Sequence, residues 1–378
     1  MSAERPPALP TPARARLPIL GLLPTATRVA ILVTLLLSLG TIAFELLVAS
    51  PNQTLVFVLA AVSILGQAWV IGLATERLGA IAGPQFGGVL NATFGNIAEL
   101  IIAFFALQAG LTEVVKASLT GSIIGNLLLV LGVSVLVGGL RNGPQQFSRT
   151  VAGSNAALLV LAAIGLFVPA VFEFSTGAQQ RMVVEESVLI AILLIAGYVL
   201  SLVFQFTHPA ETLGGHEPAQ GHGGPAWSGR TAIVVLLIAA GLLAFLSEIL
   251  VGAIEPFIKT FGLSEFFVGV VLIPTIGNLA EHLVAVQLAF KNKMEFAMAV
   301  AYGSSLQVAL FVAPLLVILG TVIGHDMTLV FTPLEIVAVG AAVGISALIA
   351  LDGESNWLEG ALLTIVYIIL AVSFFEVV

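Results

Sequence analysis

Apolar residues run along this chain in long blocks, separated by short polar turns such as SPNQ, RNGPQ, GHD and LDGES. A helix that crosses a bilayer needs about 20 apolar residues. By that measure the blocks fall at roughly 27–49, 53–75, 84–108, 114–138, 151–172, 183–206, 231–254, 265–290, 296–322, 327–350 and 356–376. The pattern predicts an all-α polytopic membrane protein with 11 transmembrane helices. One connection is longer, at 207–229, and carries Gly, Pro, His208, His216 and His222. It divides the chain into a first helix (25–52) with a five-helix half (53–206), then a second five-helix half (230–378). Residues 1–24 are rich in Pro and Arg and read as a disordered cytoplasmic arm. A signal peptide is the alternative, because Val48-Ala49-Ser50 follows a cationic start and an apolar run. The 27–49 block is too long for a signal core, so it reads as a retained helix.

Composition supports a lipid solvent. The chain of 378 residues is 59% hydrophobic and 9% charged, with a mean hydropathy of +1.12. Soluble domains carry about 25% charged residues. There is no cysteine, which excludes thiolate metal sites, disulfides and thiol catalysis. No basic stripe is present, so nucleic acid is excluded as a partner. The cations supply an orientation through the positive-inside rule. With the N-terminus inside and the C-terminus outside, Arg5, Arg14, Arg16, Arg28, Arg77, Arg141, Arg149, Arg230, Lys291 and Lys293 are cytoplasmic, while Lys116, Arg181 and Lys259 are outside.

The chain also repeats itself. At an offset of 182 residues, LNATFGNIAEL (90–100) aligns with LIPTIGNLAEH (272–282). Between 87–122 and 269–304 about a third of the positions are identical. Among them are Gly95/Gly277, Asn96/Asn278, Glu99/Glu281, Glu113/Glu295, Gly121/Gly303 and Ser122/Ser304. Because each half has five spans, the copies must enter the membrane from opposite sides. Inverted repeats of this kind mark many secondary transporters, with the substrate site near the midplane between the copies.

The repeated polar residues carry the chemistry. Asn96 and Glu99 are three residues apart and share a helix face; Asn278 and Glu281 repeat the pair. A carboxylate at bilayer depth normally faces a partner or a water-filled cavity. A structural reading, in which each Glu is protonated and helps helices pack, fits one such residue better than two at matching positions. Like charges brought together resist joint ionisation, so the pair would hold protons or release them to a divalent cation. Ser122 and Asn126 stand on the next helix of the first half, and Ser304, Ser305 and Gln307 on its counterpart. All offer oxygen, which suits Ca²⁺, then Mn²⁺ or Mg²⁺, better than Zn²⁺ or Cu⁺. Gly95 and Gly277, with Gly87, Gly88, Gly269 and Pro274, either make these helices easy to break or let them pack closely. His282 follows Glu281 and stands where the first copy has Leu100, as a proton relay or as a packing residue. Glu248 lies well inside its span and is a candidate for a proton path. Glu335, nearer a helix end, reads as capped or solvated; Glu45 and Glu359 are further acids near membrane depth. The linker histidines read as incidental rather than as a metal tract.

With GNIAEL and GNLAEH, the helices LTGSIIGNLLLVLG (119–132) and YGSSLQVALFVAPL (302–315), and LDGESNWLEG (351–360), the chain resembles the Ca²⁺/H⁺ antiporters of the cation/Ca²⁺ exchanger superfamily, over about 55–375. The resemblance implies a peripheral first helix before two inverted-topology five-helix repeats. It implies Glu99 and Glu281 as the essential acids, Asn96 and Asn278 as their neighbours, His282 as the motif His, and Ser122, Ser304 and Gln307 as flanking polar residues. The expected function is exchange of Ca²⁺ for H⁺ in the plasma membrane of a prokaryote, with Ca²⁺ as a transported substrate, no cofactor and the lipid bilayer as surroundings. A Na⁺/Ca²⁺ exchanger of the same fold is the alternative, although Ala precedes Glu in both copies where those exchangers carry Pro. An intramembrane hydrolase is the distant one, lacking HExxH, a Gly-x-Ser-x-Gly elbow and a catalytic Cys. The lipid-facing positions leave the oligomeric state unread.

Overall fold

The computed structural model describes residues 25–83, 90, 93–177, 179–208 and 227–376. The N-terminal arm, His216, His222, Gly87 and Gly88 lie outside the described residues. The helices are α1 (Thr25–Leu47), α2 (Gln53–Ala82), α3 (Ile97–Gln108), α4 (Thr112–Asn142), α5 (Arg149–Thr176) and α6 (Gln180–Thr207) in the first part. After the linker come α7 (Gly229–Phe261), α8 (Glu265–Phe290), α9 (Met294–Ile323), α10 (Pro333–Ile349) and α11 (Trp357–Glu376). Among the described residues nine helices are long and apolar enough to cross a bilayer, and α3 and α10 are shorter apolar helices. The exterior is apolar too: Leu36, Leu193, Leu237 and Ile369 are all exposed. That arrangement belongs to a protein whose solvent is hydrocarbon.

Helix ends follow local chemistry. Asn52, Ser148 and Ser228 accept hydrogen bonds from the backbone N–H groups of Leu55, Val151 and Thr231 and so start α2, α5 and α7. Glycines in the left-handed region close α5 at Gly177 and α7 at Gly262. Thr332 and Glu335 form a capping box at the start of α10. Glu335 is buried there and also accepts a hydrogen bond from the Thr120 hydroxyl, 3.0 Å away. It is capped rather than solvated.

The contacts at the helix ends show that the two copies run in opposite directions. The end of α3 meets the end of α9, where Leu107 packs beside Gly320. The end of α8 meets the end of α4, where Asn142 and Gln145 donate to the carbonyl of Ala289 at 3.2 and 3.0 Å. Since α4 starts four residues after α3 ends and is about 46 Å long at 1.5 Å per residue, these two junctions lie at opposite ends of the bundle. The motif-bearing helices α3 and α8 therefore exit on opposite sides. β1 (Gln145–Gln146) and β2 (Glu354–Ser355) pair antiparallel beside the second junction.

α2 and α7 occupy matching positions in the two halves and pack against each other. α1 sits outside them and is held to α2 by polar pairs. Gln67 donates to Ser38 Oγ at 2.8 Å, and Thr41 and Ser63 share a hydrogen bond of 3.0 Å. Such bonds hold helices together where the hydrophobic effect no longer distinguishes protein from lipid. α4 and α9 each contain a π-helical turn, at Gly125–Val130 and Val308–Val312. The offset of 182 superposes these turns; the first contains Asn126 and the second directly follows Gln307, both polar residues of the bundle centre. π turns recur at functional sites because they re-aim side chains within a helix.

Candidate functional site

The first motif breaks its helix. Gly95 and Asn96 form a turn, and α3 starts at Ile97 with Glu99 in its first turn. The second motif lies inside continuous α8, where Gly277 and Asn278 follow a π turn at Val268–Leu272. The copies thus share residues but not backbone.

Gly277 explains how the two acids meet. A Cβ built on it would lie 2.9 Å from both Cγ and Cδ of Glu99, so only glycine leaves room for this carboxylate against α8. Glu281 is one helical turn further along α8. Glu99 is 6% exposed, and neither carboxylate oxygen has a hydrogen-bond partner among the described residues. The buried Asn278 carbonyl oxygen is in the same condition. Three buried acceptor oxygens at the repeat interface are therefore without a donor. Leaving such groups bare is costly, and a cation or a proton relieves that cost.

Around them the two halves exchange hydrogen bonds in a pseudo-symmetric pattern. Ser304 donates to Asn96 Oδ1 at 2.9 Å, and Asn278 donates to Ser122 Oγ at 3.4 Å. A residue of one copy meets the partner position of the other in both cases, as a two-fold relation requires. The pattern is tighter on one side. Asn126 donates to Ser304 Oγ at 2.9 Å, and the Asn96 amide donates to Gln307 Oε1. The positions matching Asn126 and Gln307 hold Val308 and Gly125, so Asn278 has no equivalent support. Asn96 is locked with both ends occupied, while Asn278 keeps a free carbonyl.

A cavity of about 430 Å³ leads to this centre. Its walls include Trp69 and Glu76 of α2, Gly277 and Glu281 of α8, and Gly303 and Gln307 of α9. Glu281 and Ser304 face it directly, while Glu99 lies behind Gly277. Not every expected residue joins the centre. Ser305 is buried but donates to the Ala301 carbonyl of its own helix at 2.9 Å. His282 is half-buried and does not line the cavity. Glu248 lies elsewhere, in a groove between α1 and α7 with Glu45 and Gln53. Among the described residues no cluster of three or more His, Asp or Glu side chains exists, so amide, hydroxyl and backbone oxygens would have to complete a metal shell. Thr75 and Glu76 on the cavity wall escaped the sequence reading, because an acid at the end of an apolar block looks like an ordinary interfacial charge.

A polytopic helical bundle with inverted repeats, paired acids at their interface and a water-sized approach is the architecture of a secondary cation exchanger. A model of the sodium/calcium exchanger protein family matches residues 51–207 and 231–375, and the chain belongs to that family. Within it the chain is 45% identical over 345 residues to a Ca²⁺/H⁺ antiporter of Synechocystis sp., covering 86% of this chain and 91% of that protein. It is 45% identical over 332 residues to the Ca²⁺/H⁺ antiporter ChaA of Bacillus subtilis, covering 86% and 93%. The structure is similar to that of native YfkE, with a TM-score of 0.77, 39% identity and coverage of 92% and 98%. An H⁺/Ca²⁺ exchanger CAX shares the fold at 16% identity with a TM-score of 0.72. These relatives are transporters, not enzymes, and the hydrolase reading falls away.

The asymmetry of the hydrogen bonds has a measurable consequence. Ser304→Ala leaves Asn126 Nδ2 and Asn96 Oδ1 buried without this partner, at a cost of about 1–3 kcal/mol. Ser122→Ala removes only a long contact. Thermal unfolding in detergent should therefore show a clearly lowered midpoint for Ser304→Ala and little change for Ser122→Ala.

Proposed function

We propose that this protein exchanges Ca²⁺ for H⁺ by alternating access, with Glu99 and Glu281 binding the cation or protons in competition. The observation that carries this reading is the set of donorless buried oxygens of Glu99 and Asn278 beside Glu281. One Ca²⁺ or about two protons neutralise two carboxylates equally well, but both together would leave excess positive charge in a medium that penalises it. Mutual exclusion of this kind couples the two fluxes. Ca²⁺ suits the site because it accepts six to eight oxygens in loose geometry, which the carboxylates, Asn278, Ser122, Ser304 and backbone carbonyls would supply. The named relatives favour H⁺ over Na⁺ as the counter-ion.

We infer the sidedness from charge. The cavity lining runs along α2 to Glu76 and along α8 to Val284, towards the helix ends that carry Arg77, Lys291 and Lys293, which the positive-inside rule makes cytoplasmic. We place the N-terminus in the cytoplasm and the C-terminus outside, with eleven spans counting α3 and α10. Bacterial antiporters among the relatives support the plasma membrane of a prokaryote as the location. α1 is the peripheral helix of this scheme, and 53–206 and 230–378 are the two repeats.

Matching glycines support the direction of opening. Gly121 of α4 is pressed against the Val270 backbone and lies 2.7 Å, measured from a built Cβ, from Pro274 Cγ. Its counterpart Gly303 has nothing within 4 Å of that position and faces the cavity. One face is closed and its symmetry mate is open. Rocking of one repeat against the other would exchange these environments, making Gly303 the crowded position in the opposite state.

Reconstituted in liposomes, the protein should take up Ca²⁺ when a pH gradient is imposed, with or without Na⁺. Uptake that needs a Na⁺ gradient would overturn the H⁺ assignment. Glu99→Gln and Glu281→Gln should each reduce exchange to background while the protein remains folded; exchange at the wild-type rate in either would remove that residue from the site. Gly303→Leu fits the open cavity but obstructs its closure. It should stay monodisperse in detergent and lose most exchange, and full-rate exchange would contradict the proposed motion.

A further inference from the structure

One buried acid takes no part in the cation site, yet it is bonded to a helix that forms it. Glu335 is 1% exposed. The Thr332 backbone N–H and hydroxyl donate to its Oε2 at 2.8 and 2.9 Å, and the Thr120 hydroxyl donates to its Oε1 at 3.0 Å. The bonds from Thr332 belong to the capping box of α10. The bond from Thr120 crosses to α4 of the other repeat, and a cap does not need it. Its surroundings are apolar: Leu119, Phe331, Ile336 and Val339 line the same small cavity as Glu335 and Thr120. In such surroundings a polar bond between helices holds them firmly, because no water competes for it.

Thr120 opens the triplet Thr120-Gly121-Ser122, which matches Tyr302-Gly303-Ser304 in the other repeat. Residues two apart on a helix point about 200° away from each other. In both triplets the serine bonds at the centre while the first hydroxyl turns back to α10, Thr120 to Glu335 and Tyr302 to the Ser346 carbonyl at 2.7 Å. The need for support is unequal. Ser304 is held by Asn126 and Asn96, whereas the Ser122 side chain has one hydrogen bond among the described residues, the 3.4 Å contact with Asn278. Where Ser122 stands is thus left to the turn of α4 that carries it. That turn is pressed against the Val270 backbone at Gly121 and tied to Glu335 at Thr120. At the matching start of α5 the place of Glu335, three residues after the cap, is taken by Val151. The acid stands on the side where the serine lacks partners of its own.

We propose that Glu335 is a positioning residue for the cation site, which holds Ser122 in place through Thr120. The inference rests on the exchange reading above and extends it to a residue that touches no ion. Outer partners of this kind act by keeping a ligand oxygen where the metal needs it. With the bond intact, Ser122 stays within reach of Asn278 and of a cation between the repeats. Without it, this turn of α4 is free to twist, and the cation loses an ordered oxygen while both central carboxylates remain.

The test is Ca²⁺ affinity, measured by titration calorimetry on the purified full chain in detergent. Thr120→Val should raise Kd for Ca²⁺ about three- to tenfold, near the lower edge of what outer partners of a metal ligand contribute. Thr120→Ser keeps the hydroxyl and should restore the affinity. Glu335→Gln can turn its amide to donate to Thr120 and accept from Thr332, so it should bind nearly as well as the wild type. Thr120→Val strands a carboxylate oxygen, so Thr120→Val/Glu335→Met, which removes both partners, is measured beside it and should show the same rise. In a Ser122→Ala background Thr120→Val should add no further rise, because its effect passes through Ser122. A Thr120→Val protein, or the double variant, that melts at a lower temperature but binds Ca²⁺ with the wild-type Kd would overturn this inference alone. So would a rise of full size in the Ser122→Ala background, or a large rise in Glu335→Gln, which would make the charge and not the bond the active feature. A wild type that binds no Ca²⁺, or takes none up when a pH gradient is imposed, would overturn the exchange reading, and this inference with it.

Discussion

Everything at the centre of this protein depends on oxygen atoms that have no donor. Glu99 presents two carboxylate oxygens, and Asn278 one carbonyl oxygen, in a space from which water is largely withdrawn. A folded chain tolerates such groups when a ligand or a proton completes them. Gly277 is the residue that makes the arrangement possible, since any side chain there would displace the Glu99 carboxylate. These oxygens make up the proposed cation site, and packing around Gly277 gives them their place.

In the proposed exchange, the inverted repeat is what would let these oxygens be reached from either side. Two copies of one helix motif, entering from opposite directions, put one acid from each at their common interface. The Asn96–Ser304 and Asn278–Ser122 pairs record the two-fold relation. The departures from it carry as much meaning. Asn126 and Gln307 secure one amide and leave the other with a free carbonyl. Gly121 is packed where Gly303 is open. A perfectly symmetric bundle would favour neither side, and the proposed motion would exchange these differences between the two halves.

Much of this was legible in the residue pattern. Apolar blocks of about 20 residues give the spans because hydrocarbon imposes length, and Gly-Asn-x-Ala-Glu in register gives the repeat because polar residues are too rare here to recur by chance. Glu99, Glu281, Asn96 and Asn278 were found in this way, and the structure brings all four to the repeat interface. The finer geometry was not legible. A sequence does not show that α3 begins at Ile97, because the helix break at Gly95-Asn96 depends on contacts rather than propensity. Nor does it show that Ser305 bonds to its own helix while Ser304, one residue earlier, bonds across the interface. A rotation of about 100° per residue separates the two roles, and the π turns shift that phase without an obvious compositional mark. Glu248 looked well placed by depth alone, but depth does not specify direction, and it faces a peripheral groove.

In the proposed exchange, protons and Ca²⁺ occupy the same carboxylates in turn. Metal binding to protonated ligands must release those protons. The direct measurement is therefore proton release on adding Ca²⁺ to the purified protein in weakly buffered detergent solution, with Ca²⁺ binding followed in parallel. At a pH where the empty site holds its protons, the account predicts release approaching about two protons per Ca²⁺ bound, lost together with binding in Glu99→Gln. Stoichiometric Ca²⁺ binding without proton release across the pH range would contradict it.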